Sequence, residues 1–368
     1  YSVRVPMVDV NAMGSGGGSI AWLDAAGGLR VGPHSAGADP GPACYGRDGK
    51  FATVTDASIA LGFLNPDYFA GGTVPLDREL AKQVIQDTIA APLSMTIEQA
   101  ALGIHQVVNA QMAEGMRQVS IRQGHDPRDF SLVPLGGAGP VHAIPLAEEL
   151  SIDTIIIPRH PGVLSAEGLL VAPIEHEVSI GFPHDLDSVG INELKTKFDE
   201  LDAQCASLMD AEANEVGNIE IIHAVDICYV GQSHYLDITV DLSNAKPRES
   251  IYRDFIHAHE QVFGYSTESP ARIVNLRSIY RSQRPEVSVP IAVEQSSQDP
   301  LKGRRVAIFQ VGQDTEVDIL DRSCLSVGTT IDGPAIIEQS DTTTVLHVGW
   351  AATVIESGEL VLKKRVTP

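Results

Sequence analysis

The stretch "SLVPLGGAGPVHAIPLAEEL" at 131–150, with "DTIIIP" at 153–158 behind it, constrains the fold more than any other part of the chain. A short apolar segment delivers Gly136, Gly137 and Gly139 to a turn, Pro140 stands at a first helical position, and the run that follows is helical in pattern. Strand, glycine turn, helix and strand make a β-α-β unit of the doubly wound kind, and such a crossover belongs to an α/β core. The same turn points free N–H groups and the positive end of a helix at one spot. Many α/β folds hold a nucleotide there, and others only pack a helix tightly on a strand. It is no Walker A loop, because no Gly-Lys-Ser/Thr follows.

At 368 residues the chain exceeds the size of a single core, so more than one domain is expected. Ser19–Asp24 and Leu29–Val31 flank "AAGG" as a short hairpin. "GPHSAGADPGPACYG" at 32–46 is a stiff loop, long enough to suggest a function. In "TVTDASIALG", Asp56 reads as the N-cap of a short helix that Gly62 stops. A helix over 78–90 places Leu80, Val84, Ile85 and Ile89 on one face. Thr96 and Gln99 form a capping box ahead of a longer helix, whose buried face carries Ile97, Ala101, Ile104, Val108 and Met112. An acidic helix follows at 193–214, and the tail breaks into short strands between turn residues. This organisation predicts an α/β region over 1–175, its continuation over 176–284 and a small β domain over 285–368.

Charge excludes two classes of partner. The chain carries 48 Asp and Glu against 26 Lys and Arg, a formal charge of -22, which repels nucleic-acid backbones and anionic membranes alike. No apolar run approaches the ~20 residues of a membrane span. Cys44, Cys205, Cys228 and Cys324 form no C-x-x-C pair, as expected of a reduced, cytoplasmic protein.

Several residues are candidates for chemistry. "GSGGGS" at 14–19 leads into a strand and lacks a lysine, so it is a hinge, a close-packed turn or an anion nest of backbone amides. His142 stands in the first turn of the helix after the glycine turn, within reach of a ligand or as a structural hydrogen-bond partner. Asp56 is a helix cap or a group orienting a magnesium-bound water. Asp9 and Asp39 are further metal candidates, since Mg²⁺ takes one or two carboxylates with waters and phosphates. Cys44 reads as a buried thiol, and "HAHE" at 257–260 and His223 as capping or solvent-facing groups.

Five blocks in order, "MGSGGGSIAWLDAAGGLRVGPHSAGADPGPACYG", "TVTDASIALGFLNPDYFAGG", "GHDPRDFSLVPLGGAGPVHA", "PGVLSAEGLL" and "GPAIIEQSDTTTVLHVGW", make the chain resemble the hydantoinase A/5-oxoprolinase family from about Val5 to Leu362. It is similar to N-methylhydantoinase A-type subunits and to ketone carboxylase subunits. The resemblance implies part of an actin, hexokinase and Hsp70-like (ribonuclease-H-like) ATPase domain followed by the β tail, with ATP in a cleft between two halves. It sets Gly136, Gly137, Ala138 and Gly139 near the adenosine, and makes Gly16, Gly17, Gly18 and Ser19 a close-approach loop lining the cleft. It also implies ATP and Mg²⁺ as cofactors, a small-molecule substrate, a hydantoinase B-type partner, and activation of a carbonyl or enolate oxygen by phosphorylation. Family members carry a G-G-T-x-T-D loop and a D-M-G-G-T-S-type loop earlier in their chains, and neither occurs here. The expectation is the C-terminal portion of an A-type subunit, with the phosphate loops on an N-terminal half or a separate chain, and no appreciable ATP hydrolysis by this chain alone. The implied activity is ATP-dependent opening of a cyclic amide. Ketone carboxylation and a non-catalytic assembly role are the alternatives.

Overall fold

The structure is a computed structural model that describes residues 10–212, 218–283 and 298–365. It divides into a larger unit of Asn11–Ser120, Asp126–Glu167 and Pro290–Pro368, and a smaller unit of Tyr1–Val10, Ile121–His125 and Gly168–Val289.

The larger unit opens with an antiparallel hairpin of β1 (Ser19–Leu23) and β2 (Leu29–Ser35). Asp24 closes it by accepting the amides of Ala26 and Gly28 and pairing with Arg30 at 2.8 Å. Helix α1 (Val54–Ala60) starts one turn earlier than the sequence suggests. Thr53 is its N-cap, and Asp56 is the third helical residue, returning a bond to the Thr53 amide as the second half of a capping box. Helix α2 (Arg78–Ile85) runs through a π-turn at Gln86–Ala90 into the short α3 (Ala91–Leu93). It buries Ala81, Val84 and Ile85 but leaves Leu80 exposed. The expected Thr96–Gln99 box starts α4 (Ile97–Arg122), which buries Ala101, Ile104 and Val108.

Helix α5 (Gly139–Leu150) and strand β3 (Thr154–Ile157) form as the periodicity predicts. The strand expected before the glycine turn does not. It shrinks to one parallel bridge, in which the Leu132 amide donates to Thr154 O at 3.0 Å and Leu132 O accepts from Ile156 at 2.8 Å. The next rung needs an N–H from residue 134, which is a proline, so the ladder stops. The doubly wound parallel sheet expected from this unit is therefore absent among the described residues.

The chain passes through α6 (Leu164–Val171) into the smaller unit. There β4 (Glu175–Asp185), α7 (Ile191–Asp210), β5 (Asn218–Tyr229), β6 (Leu236–Thr239), α8 (Pro247–Phe263) and β7 (Ala271–Gln283) follow in turn. The four strands make an antiparallel sheet of order β4-β7-β5-β6. Phe198 of α7 and Phe255 of α8 share one core with Val225, Ile227, Ile273 and Leu276 of the sheet.

The tail returns to the larger unit as β8 (Leu301–Gln310), β9 (Gln313–Asp321), β10 (Thr330–Asp332), β11 (Ala335–Glu338), β12 (Thr343–Leu346), β13 (Trp350–Val354) and β14 (Leu360–Lys364). Two sheets result, ordered β12-β11-β9-β8 and β10-β13-β14-β3. Only β9 with β11 pairs in parallel among the named strands. Ile308, Val317, Ile336 and Val345 pack with Ile59 and Val108, while Trp350, Leu360 and Leu362 pack with Ile144, Leu150 and Ile155. The tail is all β, but it completes the cores of the preceding helices instead of closing one of its own. Because Trp22 and Trp350, the chain's two tryptophans, both lie in this unit, their fluorescence reports its unfolding. Ile155→Ala is expected to lower the unit's stability by about 2–5 kcal/mol, seen as a lower urea midpoint of tryptophan fluorescence. An unchanged midpoint would contradict a core shared by β3 and the tail.

Candidate functional site

Within the larger unit two glycine loops, far apart in sequence, line one cavity of about 270 Å³. Gly17 and Gly18 form one wall and Gly137 and Ala138 another. The first loop is a closed turn: Ser19 Oγ accepts the Gly16 amide at 2.9 Å and donates to Gly14 O. Gly17 O accepts both the amide and the hydroxyl of Thr55 at 2.8 and 2.9 Å, which pins the loop to the start of α1. A Cβ at Gly17 would stand 2.8 Å from Thr55 Oγ1 and one at Gly18 2.9 Å from Ser35 Oγ, so a side chain at either position displaces a hydroxyl, that of Thr55 from Gly17 O or that of Ser35 from the Gly37 amide. Gly16 and Ser19 shape the turn without lining the cavity.

The second loop presents a helix start. Gly136 takes a φ of 79° and donates its amide to Pro161 O at 2.7 Å, while Gly137 O accepts the hydroxyl of Thr342 at 2.9 Å. Ala138 is the N-cap of α5, and no side chain caps the helix. Pro140 has no N–H and Val141 donates to Ala138 O at 3.1 Å, so what the helix start offers beside the cavity is the loop amides of Gly137 and Ala138, with the dipole behind them. Gly139 instead packs on Pro134.

His142, one turn into α5, also lines the cavity and is buried. Its Nδ1 lies 2.7 Å from Asn109 Oδ1, an acceptor, so Nδ1 carries the proton and Nε2 the lone pair. The ring stacks on His105 at 5.0 Å between centroids. His105 Nε2 lies 3.0 Å from the hydroxyl of Ser58, which donates to Val54 O and so accepts from the histidine. Burial pushes His142 down to about 4, and burial together with its histidine neighbours pushes His105 well below the ordinary range. Both rings are neutral at physiological pH, which is what lets two imidazoles stack in a buried site.

Asp56 is fully buried and does not line the cavity. Its carboxylate accepts from the amides of Ala43, Cys44 and Thr53 and from the Thr53 hydroxyl, so it organises backbone. Asp39 is exposed in the 32–46 loop, and Asp9 lies outside the described residues. The Cys44 thiol is buried, and burial, with Asp56 adding to it, raises it far above the usual thiol range. His223 bonds Asp202 at 2.9 Å and His259 bonds Tyr265 O at 2.8 Å. Among the described residues no three His, Cys, Asp or Glu side chains form a metal-binding group.

The turn between β11 and β12 is the part of the site that sequence reasoning left without a role. Gln339, Ser340, Asp341 and Thr342 all line the cavity. Asp341 Oδ2 accepts the Gly162 amide at 2.8 Å, while its Oδ1 is buried with no hydrogen-bond partner. The signal lay in "SDTTT", a polar run between two apolar strands.

Family models described as "Hydantoinase/oxoprolinase" and "Hydantoinase/oxoprolinase C-terminal domain" match residues 1–178 and 184–364. The caprolactamase subunit alpha of Pseudomonas jessenii is 37% identical over 368 residues, covering 96% of this chain and 52% of the relative. The acetophenone carboxylase gamma subunit of Aromatoleum aromaticum is 30% identical, covering 94% and 49%. The crystal structure of the ATP-dependent caprolactamase from Pseudomonas jessenii superposes with a TM-score of 0.85 at 34% identity, over 98% of this chain and 54% of that one. The chain thus spans about half the length of these relatives.

A histidine with a depressed folded-state pKa stabilises the fold above its unfolded value of about 6.5, and that stability is lost as pH falls toward the folded value. The urea midpoint of tryptophan fluorescence is therefore expected to fall between about pH 6.5 and 4.5, with His142 contributing up to about 1.4 kcal/mol per pH unit. His142→Gln should flatten that slope; the same slope in the variant would contradict a neutral buried His142.

Proposed function

The chain belongs to the hydantoinase/oxoprolinase family, and from that premise we propose that it is the C-terminal portion of the A-type subunit of an ATP-dependent cyclic-amide hydrolase. Its fold is α/β, part of an actin, hexokinase and Hsp70-like ATPase domain followed by C-terminal β strands. The observation that carries the reading is the meeting of Gly17 and Gly18 with the uncapped start of α5 at one cavity. The similarity to a caprolactamase subunit favours a lactam-type substrate.

The residues present fit a nucleotide at its neutral end. Amides at Gly137 and Ala138 suit a ribose oxygen, the backbone of Gly17 and Gly18 forms a second wall, and Asp341 brings an acceptor for a hydroxyl. Gly16, Ser19, Gly136 and Gly139 hold the two loops in shape. ATP, when bound, would supply a phosphoryl group that turns the amide oxygen into a better leaving group. His142, neutral, offers a lone pair at Nε2 and no acidic proton, so its role is to accept a hydrogen bond or hold a water. Asp56 positions Thr55 and the 43–44 backbone. The described lining holds one carboxylate and no lysine or arginine. The described residues therefore assemble no set of magnesium ligands and offer little charge to offset phosphates. Those groups are assigned to phosphate loops on a preceding half or a separate chain, and a B-type subunit completes the assembly. No described helix is long and apolar enough to cross a membrane, and the reading places the protein in the cytoplasm.

The carboxylase alternative rests on the acetophenone carboxylase relative. The complete assembly, assayed with ATP against lactams, hydantoins, 5-oxoproline and ketones with bicarbonate, is expected to open a cyclic amide. Ketone-dependent fixation of bicarbonate without amide cleavage would overturn the reading. In the same assay Gly17→Val is expected to lower ATP-driven turnover by at least about a hundredfold, the scale of a 1 Å misplacement. Full turnover in that variant would remove the loop from the site. The 368-residue chain alone is expected to show no appreciable ATP hydrolysis.

A further inference from the structure

A second pocket in the larger unit, about 580 Å³, adjoins the first and shares Tyr68, Gln339 and Ser340 with it. Its chemistry is the opposite of the first. Arg159 and Arg322 both line it, in a chain whose net charge is -22. Arg322 is 8% exposed, and its Nη2 donates to Gly358 O at 2.5 Å. Its Nη1 is buried with no hydrogen-bond partner. A buried guanidinium N–H without an acceptor is costly, and Arg322 lines a pocket in which an incoming anion would offset the buried charge.

The neighbouring carboxylates do not fill that place. Asp321 Oδ1 accepts from the amide and hydroxyl of Ser323 at 2.9 and 2.6 Å. Glu167 is taken by His160 Nδ1 at 2.5 Å, and Glu359 by the hydroxyl of Ser357. Among the described residues neither Arg159 nor Arg322 forms an ion pair. The Arg159 segment is fixed to the same wall, since its carbonyl accepts from Gln339 Nε2 at 2.7 Å. Burial lowers Arg322 to about 10, more than the attraction of Glu359 restores, as expected of a cation whose partner is missing.

We propose that Arg159 and Arg322 form a binding site for inorganic phosphate. Two guanidiniums brought from distant points of the chain offer forked donors and two positive charges, which match a phosphate dianion better than a single carboxylate. Ser340, on the shared wall, adds a hydroxyl, and the pocket adjoins the cavity where the nucleotide reading places the adenosine end. The site goes beyond that reading and does not depend on it, because phosphate binding is measured without nucleotide.

The test is calorimetric titration of the full chain with inorganic phosphate in a phosphate-free buffer, beside Arg159→Gln and Arg322→Gln. Wild-type protein should bind one phosphate saturably. Arg159→Gln, at a half-buried position, should weaken binding by about tenfold to a hundredfold, the worth of one or two charge-assisted hydrogen bonds. Arg322→Gln should abolish binding, with far-UV circular dichroism confirming its fold; if that variant does not fold, Arg159→Gln alone decides. Absence of saturable binding to the wild type, or an Arg159→Gln variant that binds phosphate as the wild type does, overturns the proposal. Neither result would touch the amide-hydrolysis assay.

Discussion

The Asp56 carboxylate is the point on which the site's geometry rests. Buried without exposure, it collects two donors from Thr53 and one each from the amides of Ala43 and Cys44. A carboxylate at that depth is tolerable only because each oxygen is hydrogen-bonded. The bonds fix where α1 begins, and hence where Thr55 stands. Thr55 in turn holds Gly17 O with its amide and hydroxyl, which sets the first glycine loop against the cavity. The second loop is held from the other end of the chain, by Thr342 on Gly137 and by Asp341 on Gly162. Two separate tethers therefore bring the loops together, and neither loop has the length or apolar content to hold its place unaided.

The electrostatics of the two adjoining pockets follow one logic. The first has backbone dipoles, hydroxyls and one neutral histidine, His142, and only one carboxylate, so it suits the uncharged end of a ligand. The second is lined by Arg159 and Arg322, which form no ion pair among the described residues, beside Asp321. An acidic surface keeps anions away in general, so such a cationic recess is selective by contrast with its surroundings.

Local signals in the sequence translated well. The Asp24 hairpin, the Thr96–Gln99 box and the buried face of α4 each depend on residues within a few positions, and each formed. Asp56 was misplaced by one helical phase because Thr53 and Asp56 are both good capping residues, and only the tertiary bonds from Ala43 and Cys44 show which is which. The parallel strand failed at Pro134, a residue whose missing N–H was readable, though its effect depended on where the ladder with β3 began. Asp341 and Thr342 carried no local motif; their part in the site is a contact with residues some two hundred positions away. His142 was marked by its place in the first turn of α5, but its neutrality comes from burial, and its partners Asn109 and His105 lie on α4, a pairing no spacing reveals.

The central claim is that the two glycine loops and the β11–β12 turn form the adenosine end of a nucleotide site. It is tested most directly by photolabelling the complete, ATP-hydrolysing assembly with an azido-adenine analogue of ATP and mapping the modified peptides. The account predicts ATP-protectable labels in peptides holding Gly17, Gly137 to His142, or Gln339 to Thr343. Labels confined to 168–283, or to other chains only, would contradict it.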